Sequence, residues 1–122
     1  MEEKPKILVV DDEESIRFTF DAFLSDEGYE VSTAKNYDEA VARIGEGDFD
    51  LIFADIILGG KTGLDFLREI RKRNLLCPVI MITGDPTAEN ASEAFRLGAF
   101  GHISKPLNQE KLLHLTKIAL KV

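Results

Sequence analysis

Lys6-Ile7-Leu8-Val9-Val10-Asp11-Asp12-Glu13 is the stretch that decides the fold. Its apolar residues run without a break instead of alternating with polar ones. That is the pattern of a strand buried on both faces, as in a parallel sheet covered by helices. Asp50-Leu51-Ile52-Phe53-Ala54-Asp55 and Pro78-Val79-Ile80-Met81-Ile82-Thr83 repeat it. Phe100–Ser104 is a fifth, shorter run, and the more mixed Tyr29–Ala34 reads as an edge strand.

Between the runs the apolar period changes to that of a helix. Ile16, Phe20, Phe23 and Leu24 share one face of a helix that Gly28 can terminate. Asn36 with Glu39 three residues on resembles a capping box ahead of Ala40, Val41 and Ile44. Thr62 or Gly63 opens a third helix with Leu64, Leu67 and Ile70 inward. Its far end carries Arg68, Arg71, Lys72 and Arg73, which read as solvated cations matched to the helix dipole. Thr87–Leu97 before Gly98 is the fourth helix. Asn108–Lys121 is the fifth, with Leu112, Leu115, Ile118 and Ala119 inward. Alternation of strand and helix five times predicts a doubly wound α/β domain spanning residues 1–122.

The net charge of −7 repels phosphate backbones and anionic lipid, which excludes nucleic acid and membrane as partners of this domain itself. The single cysteine, Cys77, rules out an internal disulfide and fits a reducing compartment. With no signal-like or membrane-spanning apolar stretch, the expected location is the cytoplasm.

In such sheets ligands bind outside the carboxyl ends of the strands. Asp11 and Asp12 follow the first run, Asp55 ends the third, Thr83 and Gly84 the fourth, and Lys105 with Pro106 the fifth. Taken singly, each has a plain reading: helix caps for the acid pair, a turn for Asp55, a surface lysine before proline. Gathered on one edge they describe a phosphoryl-transfer site. Clustered carboxylates invite a hard divalent cation, Mg²⁺ best, and an ammonium would neutralise phosphoryl oxygens while a carboxylate attacks.

Val9-Val10-Asp11-Asp12-Glu13, Asp50 to Ile56, Thr83-Gly84 and Lys105-Pro106 together resemble a response-regulator receiver domain of two-component signalling. The resemblance runs from Lys6 to about Lys121 and implies a five-stranded flavodoxin-like sheet in the order 2-1-3-4-5. It implies that Asp55 takes a phosphoryl group from a phosphohistidine on a sensor histidine kinase or phosphotransfer protein. Asp12 and Asp55, the Ile57 carbonyl and, through water, Asp11 would hold Mg²⁺, with Mn²⁺ as a substitute. Lys105 would pair with Asp55 and then with the phosphoryl oxygens, and Thr83 would donate to one of them. Small Gly84 leaves that position open, and Lys105-Pro106 resembles the family's cis bond.

The resemblance also implies a switch of the face made by the fourth helix, fifth strand and fifth helix, acting on an effector domain or target and leaving room for a phosphorylation-dependent dimer. His102 stands where the family usually has an inward-rotating Tyr or Phe. Gly59 replaces a common proline, and Asp85, two past Thr83, is placed to affect acyl-phosphate lifetime. Phe18 and Thr19 lie off the inward stripe of the first helix, where the family docks its kinase, whereas Phe20, Phe23 and Phe53 read as core. Such a domain catalyses only its own phosphorylation and dephosphorylation. Two other readings are a degenerate receiver scaffold, against which the complete acidic set argues, and an aspartate-dependent phosphohydrolase. The latter needs a nucleophile and acid two residues apart and a cap, but Asp11 and Asp12 are adjacent. No Gly-rich fingerprint follows the first strand, which disfavours a dinucleotide site.

Overall fold

The computed structural model describes residues 4–58, 60–84 and 88–121, with the backbone alone at 88–91. Its elements alternate: β1 (Lys6–Val10), α1 (Glu14–Asp26), β2 (Glu30–Ala34), α2 (Tyr37–Glu46), β3 (Leu51–Asp55), α3 (Gly63–Lys72), β4 (Val79–Thr83), α4 (Ala88–Arg96), β5 (Gly101–Ser104) and α5 (Gln109–Leu120). The strands form one parallel sheet in the order β2-β1-β3-β4-β5. The sheet is therefore flavodoxin-like, and the mixed strand, β2, is indeed at an edge.

Alternate side chains of each central strand feed two separate cores. Ile7, Val9, Leu51, Phe53, Ile80, Ile82 and Ile103 pack against α1 and α5 through Phe20, Leu24, Leu112 and Ala119. Leu8, Val10, Ile52, Ala54, Val79 and Met81 pack against α2, α3 and α4 through Ala40, Ile44, Phe66, Leu67, Ile70 and Ala94. This explains the unbroken apolar runs: both faces of the sheet are dry. Phe20 and Phe53 meet edge to face with ring centroids 5.0 Å apart. No helix among the described residues is long and apolar enough to cross a membrane.

The helix ends follow from local chemistry. Gly28 takes a left-handed φ of +92°, and the N–H groups of Gly28 and Tyr29 close on the carbonyls of Ser25 and Leu24. Asn74 and Gly98 close α3 and α4 in the same way. Thr62 and Asp65 form a full capping box on α3. At α2 the expected box is only half made. Asn36 accepts from the Glu39 N–H, but the Glu39 carboxylate takes the N–H of Lys35 instead of that of Asn36.

Two expectations need correction, for Ile118 and for Arg71. Ile118 is not inward. The buried stripe of α5 runs through Leu112, Thr116 and Ala119, with the Thr116 hydroxyl satisfied by the Leu112 carbonyl, and this leaves Ile118 in solvent. Phe66 joins Leu64, Leu67 and Ile70 in the second core and is fully buried. Arg71 is no solvated cation. Its guanidinium donates to the carbonyls of Leu75 and Gly98 at 2.8 Å, and more weakly to those of Leu97 and Cys77 at 3.4 Å. It thereby ties the α3–β4 turn to the end of α4, satisfying carbonyls that the helix termini leave open. Arg71→Met should cost about 1–3 kcal/mol in urea unfolding, the usual result of stranding such partners; an unchanged midpoint would show that water replaces the guanidinium.

Candidate phosphoryl-accepting site

Parallel strands end together, so the residues just past them share one edge. Asp11 leaves β1 with its N–H on the Ala34 carbonyl, Asp55 closes β3 in register with Ile82, and Thr83 closes β4. The Lys105 N–H donates to the Thr83 carbonyl, which delivers the lysine from β5 across β4 towards Asp55. The Lys105–Pro106 bond is cis.

Lys105 Nζ lies 2.8 Å from Asp55 Oδ2, 2.7 Å from Glu13 Oε1 and 3.2 Å from Asp11 Oδ2. The first two are hydrogen bonds; the third is an ion pair without hydrogen-bond alignment. Asp55 Oδ1 accepts from the Ile57 N–H at 2.9 Å, and Asp11 Oδ1 from the Glu13 N–H at 2.8 Å. Asp11, Asp55 and Thr83 are buried, Lys105 is half-buried, and Asp12 and Gly84 are exposed.

This geometry sets the electrostatics. Burial drives the Asp11 carboxyl up to about 7. The Glu13 N–H opposes the rise, and the Asp55 charge adds to it more than Lys105 takes away. Burial alone would lower the Lys105 ammonium. Hydrogen bonds to Asp55 and Glu13, with the charges of Asp11 and Asp55, outweigh it and hold the group above the ordinary lysine value.

The loop after Asp55 is clamped to the strand it leaves. Ile57 bridges Thr62, and the Gly63 N–H donates to the Ile56 carbonyl at 2.7 Å. A Cβ on Gly63 would stand 2.0 Å from the Asp55 carbonyl oxygen, so only glycine permits this approach.

Could the acids hold a cation? Carboxylate oxygens of Asp11, Asp12, Glu13 and Asp55 lie within 4.8 Å of one another. Among the described residues, Asp11 Oδ2 is the buried side-chain oxygen left without a hydrogen bond. An all-oxygen set with an orphaned buried carboxylate oxygen fits a hard divalent ion such as Mg²⁺. Nor is the acid pair used up in capping: Glu13 is the N-cap of α1, with no side-chain cap bond.

A profile of the response regulator receiver domain matches residues 7–117. The chain belongs to the response regulator receiver family. The receiver is 42% identical over 118 residues to a putative NtrX-like response regulator of Rickettsia felis, covering 95% of this chain and 25% of that protein. It is 35% identical to the transcriptional regulatory protein ResD of Bacillus subtilis, covering 95% and 48%. Among solved structures, the receiver domain of NtrX from Brucella abortus superposes with a TM-score of 0.89 at 42% identity, covering 95% of this chain and 98% of that one. The chemotaxis protein CheY4 of Vibrio cholerae gives 0.92 at 35%, covering 97% and 100%. The receiver thus spans about a quarter of the NtrX-like relatives and half of ResD.

The structure brings Asp11, Asp12, Asp55, Thr83 and Lys105 to one edge. His102 is exposed on β5 and lines, with Thr83, Met81, Ala94 and Phe95, a cavity of about 250 Å³ between α4 and β5. Phe18, 74% exposed, and half-buried Thr19 lie on α1. Gly59, Asp85 and Thr87 fall outside the described residues. Two contributors were missed by the sequence reading, Glu13 at the lysine and Gly63 under the loop. For Glu13 a signal was present, a third acid directly after Asp11-Asp12.

Proposed function

We propose that Asp55 accepts a phosphoryl group from the phosphohistidine of a sensor histidine kinase or phosphotransfer protein, in a Mg²⁺-dependent reaction, and that the resulting acyl phosphate switches the α4–β5–α5 face. The observation that carries this reading is the position of the Lys105 ammonium, 2.8 Å from Asp55 Oδ2 beside a buried, unsatisfied Asp11 oxygen. A carboxylate nucleophile is there presented next to a cation and a place for a second one.

Asp12 and Asp55, with the Ile57 carbonyl and Asp11 through water, would hold Mg²⁺. When bound it supplies charge neutralisation for the phosphoryl oxygens. The chain's own residues do the rest. The Ile57 N–H holds Oδ1 and Lys105 holds Oδ2, which together fix the plane of the Asp55 carboxylate. Lys105 then passes to a phosphoryl oxygen, and exposed Gly84 leaves room for the group. Positioning and electrostatics of this kind are most of what a loose, charge-spread transition state requires.

The Thr83 hydroxyl would follow the phosphoryl group, and the His102 ring would follow it into the cavity at the end of β4. Such a shift would draw on a second arrangement of that face, favoured by contacts that exist only with phosphorus bound. Phe18 and Thr19 would meet the phosphoryl donor. The output is an effector domain or separate target, including a phosphorylation-dependent dimer, with the domain working in the cytoplasm and turning over nothing but its own phosphate.

Incubation with Mg²⁺ and acetyl phosphate, followed by intact mass measurement, tests the reading. The wild type should gain one phosphoryl group, and Asp55→Asn or chelator-treated protein none. Equal labelling of Asp55→Asn would remove Asp55 from its role.

A further inference from the structure

Glu13 occupies an unusual position for the first residue of a helix turn. It is the N-cap of α1, yet its carboxylate makes no cap bond. Its backbone is fixed instead by the Asp11 carboxylate, which accepts the Glu13 N–H. The side chain turns to the lysine, its Oε1 2.7 Å from Lys105 Nζ, slightly shorter than the Asp55 contact. The ammonium therefore has two of its three protons committed to carboxylates, one of them on a residue 92 positions away.

We propose that Glu13 is a positioning residue that restrains Lys105 and so sets the rate at which Asp55 is phosphorylated. The inference rests on the reading of Asp55 as phosphoryl acceptor. In the transfer from acetyl phosphate, an Asp55 carboxylate oxygen forms a bond to phosphorus as the phosphorus–oxygen bond to acetate breaks. Acetate leaves with the electron pair. The Asp55 carboxylate gives up its charge on becoming a mixed carboxylic–phosphoric anhydride, and the phosphoryl oxygens become the strongest acceptors near Lys105. As the ammonium turns towards them, its 2.7 Å hydrogen bond to Glu13 is lengthened and that pairing is weakened. This lost pairing opposes phosphorylation, and it vanishes when the charge of Glu13 is removed.

Glu13→Gln should therefore raise the second-order rate constant for phosphorylation by acetyl phosphate about five-fold at saturating Mg²⁺, a size consistent with a partly exposed ion pair. In a Lys105→Ala background the same substitution should change the slower rate by less than about two-fold, because the partner through which Glu13 acts is gone. Mg²⁺ affinity, read by calorimetry without any phosphoryl donor, should fall by no more than about five-fold, the effect of one nearby exposed charge and not of a lost ligand. Three results would overturn the proposal: no acceleration by Glu13→Gln, an equal acceleration without Lys105, or a loss of Mg²⁺ affinity large enough to make Glu13 a metal ligand. A wild type that takes no phosphoryl group would instead remove the reading of Asp55. A wild type that is labelled normally, with Glu13→Gln unmoved, would remove only the role of Glu13.

Discussion

Gly63→Ala should lower the unfolding free energy of the domain by about 3 kcal/mol, the upper range for overpacking a rigid contact. The reason is a contact between two backbones. An added Cβ would meet the Asp55 carbonyl oxygen at 2.0 Å, its carbon at 2.8 Å and Ile56 Cα at 3.0 Å. No side chain is available to move aside. Relief requires α3 to back away from β3, which strains the Gly63–Ile56 hydrogen bond and the bridge between Ile57 and Thr62. The Ile57 N–H that orients Asp55 lies in the same loop, so the rate of labelling by acetyl phosphate should fall along with stability. Urea unfolding of the purified variant measures the first effect. Gly47→Ala is the control, since nothing lies within 4 Å of its Cβ position and its φ of −172° is extended. That variant should remain within about 0.5 kcal/mol of wild type. Equal midpoints for both would mean that the β3–α3 loop yields without cost.

Asp11→Asn should stabilise the metal-free domain, and by more at pH 8 than at pH 5. The sign follows from the direction of the shift. The Asp11 carboxyl rises from an ordinary value of 3.8 to about 7 on folding. The folded protein therefore holds this proton more tightly than the unfolded chain does. No stability is lost to it below about pH 4, and the loss grows as pH rises towards 7, where the buried group must ionise. Asparagine never ionises, and its side-chain oxygen can still accept the Glu13 N–H. The gain at pH 8 should be about 1–3 kcal/mol, kept below the full linkage value because the asparagine amide N–H groups must themselves be desolvated beside the Lys105 ammonium. Thermal or urea unfolding in chelator at the two pH values reads it. A gap that does not widen with pH would disprove the assignment. Saturating Mg²⁺ should close the gap from the other side, by stabilising wild type through mass action.

The fold was legible because it rests on one property that a sequence displays directly. A strand dry on both faces cannot alternate, so Ile7–Val10, Leu51–Ala54 and Val79–Ile82 announce a covered parallel sheet. The site was legible for a related reason: strand ends coincide in such a sheet, so Asp11, Asp55, Thr83 and Lys105 could be grouped before any distance was known. What escaped depends on geometry between elements distant in sequence. Gly63 looks like an ordinary helix start until α3 is seen against the Asp55 carbonyl. Arg71 looks like one of four terminal cations until the end of α4 arrives beside it. Ile118 fits an apolar stripe by spacing, and only the true rotation of α5 shows that Thr116 holds the inner position. Glu13 was visible as an acid but had no role, because its partner lies on the opposite flank of the sheet.

The acceptor pocket draws on β1, β3 and β5, with its lysine 50 residues beyond Asp55 and 92 beyond Glu13. Contacts this far apart along the chain are closed late, after the entropy of the intervening loop has been lost. A chain not yet folded beyond β4 would carry every acid of the site but not Lys105, and on the proposed reading would be charged more slowly. On the proposed reading, the acids of the site come into play only when the last strand has joined the sheet and brought its charge to them.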